Sequence, residues 1–117
     1  MKVVGFDWDD GNRSKCEGHG LSSDEIEAFF QSPIWVAPDL KHSDSEERYI
    51  AIGRADGGRP IFVAFTLRLI EGEVVLRPIS ARFMHDKEAK RYEEAFAKDE
   101  IAAAECDPRR LSRYNVR

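Results

Sequence analysis

The sequence has few cysteines and no long apolar run. Its two cysteines, Cys16 and Cys106, are far apart and belong to no Cys-x-x-Cys pair, so neither a disulfide framework nor a zinc knuckle is expected. No apolar stretch approaches the roughly 20 residues that span a bilayer. Residues 1–10 also lack the apolar segment and cleavage site of a secretory signal. We therefore expect reduced thiols, a cytoplasmic location and no membrane partner.

The chain also lacks a general excess of positive charge. Residues 1–107 hold 14 Lys and Arg against 22 Asp and Glu, a net charge of −8, whereas residues 108–117 hold four Arg and no acidic residue. An acidic body disfavours sequence-blind binding to long nucleic acid, so contact with RNA or DNA requires a local basic patch. The length of 117 residues fits one domain. We predict that domain over residues 1–107, followed by a basic tail, 108–117, that is a candidate for mobility.

A polar helix is predicted near the N-terminus. Asp9 or Asp10 can accept hydrogen bonds from the first-turn amides, and the helix should end near Gly18. Four residues at the spacing i, i+3, i+4 and i+7 predict one polar stripe: Asn12, Lys15, Cys16 and His19.

The strongest helix-start signal comes next. Ser22-x-x-Glu25 is a capping-box pattern, and Leu21 and Ile26 are spaced as a hydrophobic staple around it. A helix over residues 23–31 is predicted. Its buried stripe is expected to consist of Ile26, Phe29 and Phe30.

A third helix is predicted to begin near His85 or Asp86, and it can extend to Ala104. Its inward-facing residues are predicted to be Ala89, Tyr92 and Phe96. Strands are predicted over residues 2–8, 34–37, 48–54, 60–67 and 74–83, with hairpin turns at 56–58 and 71–72. The pattern indicates an α+β domain with a single antiparallel sheet of about four to five strands and helices packed against it.

The last predicted strand carries two arginines, Arg77 and Arg82. Strict alternation places five residues on one face of this strand: Val75, Arg77, Ile79, Ala81 and Phe83. Arg82 is then expected on the opposite face. Because desolvating an unpaired guanidinium costs several kcal/mol, at least one of the two should have a partner or a functional role. Pro78 removes one ladder donor and predicts an edge position or a bulge.

A longer set of residues carries a family resemblance. In chain order it comprises Phe6-Asp-Trp-Asp-Asp, Asn12, Lys15, His19-Gly-Leu-Ser, Glu25, Phe29, Glu47-Arg48, Ile52-Gly53, Phe65-Thr66, Arg68, Arg77-Pro-Ile-Ser-Ala-Arg82, Glu88 and Tyr92-Glu93. Over roughly residues 5–95 the sequence resembles the BrnT family, the toxin half of a two-gene toxin-antitoxin system. A set of this length in the right order is far more specific than any one short motif.

The resemblance implies a compact domain similar to RelE-type ribonucleases. Such a protein cuts RNA without a metal or other cofactor, inhibits translation, and is neutralised by a BrnA-type antitoxin with a ribbon-helix-helix DNA-binding region. DNA is then reached only through the antitoxin. Many relatives have Lys-His-Gly where this chain has Gly18-His19-Gly20. The missing lysine removes one phosphate contact beside His19.

Metal-free RNA cleavage requires a base for the 2′-hydroxyl, cations for the phosphate charge and an acid for the leaving 5′-oxygen. Histidine suits proton transfer, and the planar fork of arginine suits two phosphate oxygens. The predicted catalytic residues are His19, Arg48 and Arg82. The predicted RNA-binding residues are Lys15, Arg68, Arg77 and Tyr92.

Structural alternatives accompany several of these residues. His19 can simply hydrogen-bond a carbonyl of the last helical turn. For Arg82, an ion pair with Glu88 or Glu93 that fixes the third predicted helix is as strongly expected as phosphate binding. For Tyr92, packing of the ring in the core is favoured over contact with RNA.

Three further interpretations concern loops and partners. The loop residues His42, Asp44 and Glu46 are discounted as a metal site because nothing fixes their geometry. Trp35 is either a docking point for an antitoxin or, as we prefer, a cap on the core. The alternative function is a catalytically weakened binding module that serves as antitoxin partner and operon corepressor. The glycine at position 18 and the acidic body favour that alternative.

Overall fold

A computed structural model describes residues 3–39, 46–55 and 57–97, which form three helices and one five-stranded sheet. In chain order the elements are β1 (Val3–Phe6), α1 (Asp10–Glu17), α2 (Ser23–Phe29), β2 (Trp35–Pro38), β3 (Arg48–Arg54), β4 (Pro60–Ile70), β5 (Glu73–Phe83) and α3 (Asp86–Ala97). The predicted α+β class with a single sheet is confirmed.

The strand order in the sheet is β1-β5-β4-β3-β2. The three pairings among β2 to β5 are antiparallel, whereas β1 lies parallel to β5, with Val3 opposite Val74, so the sheet is mixed. The central strand, β4, is buried on both faces, as its sequence predicts: Val63 and Ala64 are 0% and 8% exposed.

Both hairpin turns lie where the sequence predicts them. In the β3–β4 turn the Ala55 amide donates to the Arg59 carbonyl at 2.8 Å, and Gly57 and Gly58 have φ values of 90° and 86°. In the β4–β5 turn Glu71 and Gly72 have φ values of 51° and 83°. Left-handed backbone of this kind matches the twist of the flanking strands and favours glycine.

The helix starts also follow local chemistry. Asp9 caps α1, and Ser22 and Glu25 form the predicted capping box at α2, with the Glu25 amide donating to the Ser22 hydroxyl at 3.1 Å. The staple residues Leu21 and Ile26 are fully buried. Helix α2 ends at Phe29, two residues before the expected end, and a turn leads on to β2.

The prediction of one polar stripe on α1 is wrong. Asn12 and Cys16 are buried, at 6% and 0% exposure, whereas Lys15 and His19 are exposed. Asn12 and Cys16 are one helical turn apart and face the core, whereas Lys15 lies on the exposed side of α1 and His19 lies in the turn after it. Burial raises the pKa of the Cys16 thiol, which is free. Cys106 lies outside the described residues.

Helix α2 covers one face of the sheet. The Phe30 ring packs edge-on against Phe65 of β4, with centroids 5.2 Å apart. A Cβ atom placed on Gly53 of β3 would lie 2.7 Å from Ile34 Cγ2 and 3.0 Å from Phe29 Cε1. This close approach of helix and strand requires a residue without a side chain.

Helix α3 covers part of the opposite face. Its Tyr92 ring contacts Phe62 at 5.9 Å between centroids, and its Phe96 ring stacks on Trp35 at 5.4 Å. The interpretation of Trp35 as a cap on the core is thereby confirmed. Ala89 and Phe96 are buried, as predicted for this helix.

A bulge interrupts β5 beside Pro78. Pro78 lies opposite Phe65 and Ser80 lies opposite Ala64, so two consecutive residues of β4 face three residues of β5 and Ile79 is the extra residue. A bulge at this position is one of the two outcomes that the proline predicts.

The bulge overturns the expectation that Arg77 and Arg82 lie on opposite faces. Arg77 is opposite Thr66 and Arg82 is opposite Phe62. Thr66 and Phe62 are four residues apart on β4 and share one face. Because the extra residue reverses the alternation of β5, both arginines lie on the face that α3 partly covers.

No helix in the described ranges is long and apolar enough to cross a membrane. Several predictions lie outside the described residues: the basic tail over 108–117, the continuation of the closing helix to Ala104, and two of the three loop residues discounted as metal ligands, His42 and Asp44.

Candidate functional site

A row of polar side chains crosses the sheet on the part of the face beyond α3. Thr66 of β4 lies between Arg48 of β3 and Arg77 of β5 in the register. Adjacent strands are about 5 Å apart, so the two arginines flank the threonine at close range. Helix α3 packs on Phe62 of β4. Thr66 is four residues further along the same strand, which is a distance of about 13 Å. The helix therefore leaves these arginines open to a cleft.

The cleft has a volume of about 360 Å³. It is lined by Asp9, Gly11, Asn12, Lys15, Glu46, Arg48, Arg68, Arg77 and Ile79. Four of these residues are cationic and two are acidic, although the whole chain carries a net charge of −4. The cleft thus carries a local excess of positive charge within an acidic protein.

Asn12 joins α1 to the segment before it and to β5 at one side of the cleft. Its side-chain oxygen accepts from the Asp9 backbone amide at 2.8 Å, and its own backbone amide donates to Asp9 Oδ1 at 2.9 Å, which completes a reciprocal cap. The side-chain Nδ2 donates to the carbonyls of Asp7 and Pro78 at 3.0 and 2.7 Å. A buried amide with one acceptor and two donors satisfied fixes α1 against the β5 bulge.

Two carboxylates hold the guanidinium of Arg77. Nη2 lies 2.7 Å from Asp9 Oδ2, and Nη1 lies 3.4 Å from Asp7 Oδ2. The hydrogen bond to Asp9 is the main reason that the pKa of Arg77 is raised. Conversely, the pKa of Asp9 is lowered, first by the hydrogen bond from the Asn12 amide and then by Arg77.

Arg68 lies at the edge of the same cleft, two residues along β4 from Thr66. Its guanidinium is 3.3 Å from Glu46 Oε1 and 3.8 Å from Asp7 Oδ2. The Thr66 hydroxyl donates to the Glu47 carbonyl at 2.6 Å, which ties the start of β3 to β4 beside Arg48. Lys15 completes the cationic set from the exposed side of α1.

Arg82 and Tyr92 belong to a different cluster, under α3. Arg82 makes a bidentate pair with Glu88, at 2.9 and 2.7 Å, and its guanidinium lies 4.7 Å from the centre of the Phe62 ring. The hydrogen bond raises the pKa of Arg82 and lowers that of Glu88. Pairing with Glu88 is therefore confirmed, whereas Glu93 pairs with Arg54 at 3.4 Å.

His19 stands apart from both groups. It is exposed in the turn after α1, its backbone amide donates to the Cys16 carbonyl at 3.1 Å, and it is not among the residues that line the cleft. Of the seven residues predicted from sequence, four share the cleft: Lys15, Arg48, Arg68 and Arg77.

Sequence reasoning missed the polar residues that organise the cleft. Asp9-x-x-Asn12 has the spacing of a capping box, a signal that was available, but nothing local predicts that Asn12 also reaches Pro78. Asp7 and Thr66 gave no signal of their own beyond belonging to the family pattern. Within residues 3–39, 46–55 and 57–97, no three His, Cys, Asp or Glu side chains are grouped so that they could hold a metal ion.

A cleft lined by arginine forks can bind phosphate groups, and this chemistry agrees with the comparison to known families. Residues 8–88 match the family model described as ribonuclease toxin, BrnT, of type II toxin-antitoxin system. No curated protein matches the chain. Because the match covers more than half of the 117 residues and contains the residues that line the cleft, the chain belongs to the BrnT family of ribonuclease toxins of type II toxin-antitoxin systems.

Proposed function

We propose that this protein is a metal-independent endoribonuclease that inhibits translation and that the cleft between α1 and the sheet binds the RNA backbone. The observation that carries the proposal is the convergence of four cations, from α1, β3, β4 and β5, in one cleft of an acidic protein. Such a local concentration of positive charge attracts a polyanion and stabilises charge that develops on a phosphate.

In this proposal Lys15, Arg68 and Arg77 bind phosphate groups of the RNA. Arg48, beside the buried Thr66, stabilises the charge that grows on the scissile phosphate. In metal-dependent nucleases a divalent cation supplies that positive charge. The guanidinium groups of the cleft supply it here, which is the basis for proposing that no metal takes part.

His19 is our candidate for proton transfer. It lies four residues beyond Lys15, in the exposed turn that follows α1, so RNA that leaves the cleft past Lys15 can reach its imidazole. We propose an indirect role for Arg82, which holds α3 through Glu88. Tyr92 then contributes to RNA binding only at the outer edge of α3.

The proposed partner is a BrnA-type antitoxin with a ribbon-helix-helix region, and DNA is reached only through it. Membership of a type II toxin-antitoxin family supports a protein antitoxin and an RNA target. The cytoplasm is the proposed location, because translation, the proposed target process, takes place there.

Cleavage of purified RNA in the presence of a chelator tests the proposal. Alanine at Arg48 or Arg77 should lower the cleavage rate by about 100-fold or more, because each removes a donor aimed at phosphate charge. The matched control is Lys90→Ala, which removes an exposed cation on α3, outside the cleft. If RNA stays intact at high protein concentration, with or without chelator, the proposed nuclease activity is refuted.

A second function is favoured by a specific observation. Arg68 and Arg77 are already paired with carboxylates, and His19 does not line the cleft. A catalytically weakened protein that serves as antitoxin partner and corepressor would have this arrangement, and glycine at position 18 agrees with it. Harmless overexpression combined with tight binding to the antitoxin would select this function over the nuclease.

A further inference from the structure

Two terminal nitrogens of the Arg77 guanidinium contact two carboxylates that differ in exposure and in contact distance. The backbone of Asp7 lies along β5, since its amide donates to the Leu76 carbonyl at 2.9 Å, and its carbonyl accepts from the Asn12 side chain. Its side chain is 25% exposed. The Asp9 side chain is 53% exposed and makes the shorter contact to Arg77, at 2.7 Å.

Asp9 occupies the position on Arg77 that a phosphate oxygen would take. Two non-bridging oxygens of a phosphodiester match the two nitrogens of a guanidinium fork. A guanidinium has five N–H donors, so a phosphate oxygen that takes the Nη2 position must displace Asp9, whereas Asp7 can stay on Nη1.

We propose that Asp9 is a built-in competitor for RNA phosphate at Arg77 and that RNA entry displaces it; this inference rests on the proposed function of the cleft. Arg77 then changes partner from the Asp9 carboxylate to a phosphodiester, while Asp7 continues to orient the guanidinium from its other nitrogen. The exchange lowers the affinity of the cleft for RNA, and it disfavours weakly charged anions because they cannot displace the Asp9 carboxylate.

The geometry makes Asp9 the carboxylate that can be released at low cost. Its Oδ1 accepts from the Asn12 amide and its Oδ2 faces Arg77, so loss of Arg77 leaves the cap of α1 in place. The Asp9 side chain is 53% exposed and that of Arg77 is 18% exposed, so the ion pair is partly screened by water and contributes modestly to folding. Release of Arg77 therefore need not disturb the helix.

The variant Asp9→Asn separates the two roles of this side chain. Asparagine caps helices as well as aspartate does, so α1 should remain intact, while the charge that competes with phosphate is removed. The matched control is Asp10→Asn, which removes the same charge from the next residue, an exposed position in the first turn of α1. Thermal unfolding of both variants checks that the fold is retained.

Binding is measured by fluorescence anisotropy with a short labelled 2′-O-methyl RNA, which cannot be cleaved, at physiological ionic strength. Asp9→Asn should bind this probe about two- to fivefold more tightly than the natural chain does, the range expected from removing one exposed ion pair. Asp10→Asn should change the affinity by less than half as much, because its effect is only long-range and screened.

The same substitution in an Arg77→Ala background completes a double-mutant cycle. Because the competitor acts only through Arg77, Asp9→Asn should then have no effect on affinity. If Asp9→Asn and the natural chain bind the RNA probe equally while Arg77→Ala binds it more weakly, Asp9 is not a competitor, but the proposal that the cleft binds RNA is retained. If Arg77→Ala and the natural chain bind equally, or none of the proteins binds, both proposals fall.

Discussion

Arg77 and Arg82 lie on the same face of the sheet although their spacing along β5 would place them on opposite faces of a regular strand. The extra residue at Ile79 reverses the alternation between them. Each arginine then meets a different carboxylate, Asp9 at the cleft and Glu88 on α3. One face of the sheet thus carries both the cleft and the attachment of the closing helix.

The pair Arg82–Glu88 allows a structural role to be separated from a catalytic one. We expect Arg82→Gln and Glu88→Gln to lower the free energy of unfolding by similar amounts, about 0.5–1 kcal/mol each. If Arg82 only holds α3, both variants should also lower RNA cleavage to a similar, small extent. Cleavage rates measured beside urea unfolding decide the matter, since a far larger loss for Arg82→Gln alone would make its guanidinium catalytic.

The same pair predicts how stability depends on pH. Arg82 lowers the pKa of Glu88 in the folded protein below its ordinary value of 4.5. The resulting stabilisation is therefore complete above that value and is lost as the pH falls through the folded-state pKa. Urea unfolding at neutral pH should find Glu88→Gln less stable than the natural chain, and the difference should shrink towards about pH 3. A difference that stays constant would contradict this linkage.

Asn12 should be required for the cleft as well as for stability. In Asn12→Asp the carboxylate can still accept from the Asp9 amide, but it has no donor for the carbonyls of Asp7 and Pro78. Buried groups left unpaired cost about 1–3 kcal/mol each. We expect a lower unfolding temperature and weaker RNA binding, measured by calorimetry and anisotropy. Ser14→Ala, at an exposed position of α1, is the control and should leave both unchanged.

Gly53 should be intolerant of even one methyl group. Its added Cβ would meet Ile34 and Phe29 at 2.7 and 3.0 Å, in a packed part of the core. We expect Gly53→Ala to destabilise the protein by about 1–3 kcal/mol in denaturant unfolding. Gly5→Ala is the matched control, because nothing lies within 4 Å of a Cβ there. Equal stability of the two variants would show that α2 can move away from the strand.

Local chemistry made much of the fold predictable. Both capping positions, Asp9 and Ser22, and both glycine-containing turns act through neighbours a few residues away, so the sequence pattern contains all the partners. The parallel pairing of β1 with β5 was not predictable in this way. It joins strands from opposite ends of the domain, and no turn connects them.

The candidate site was predictable only in part, for a related reason. The family pattern and residue type together singled out the four cations of the cleft among the 18 lysines and arginines of the chain, because arginine and lysine are the usual ligands of phosphate. The roles of Asp7 and Asn12 depend on contacts across the fold, and the face of Arg82 depends on one extra residue in the strand. A single insertion reverses every later side chain, so alternation could not assign that face.

The contact between Asp9 and Arg77 spans 68 positions of the chain. During synthesis, Asp9 leaves the ribosome long before Arg77 is added, and β1 has no strand to pair with until β5 follows it. The cleft consequently combines an early segment of the chain with a strand that is made much later. A nascent chain that has not yet reached β5 therefore lacks a complete cleft.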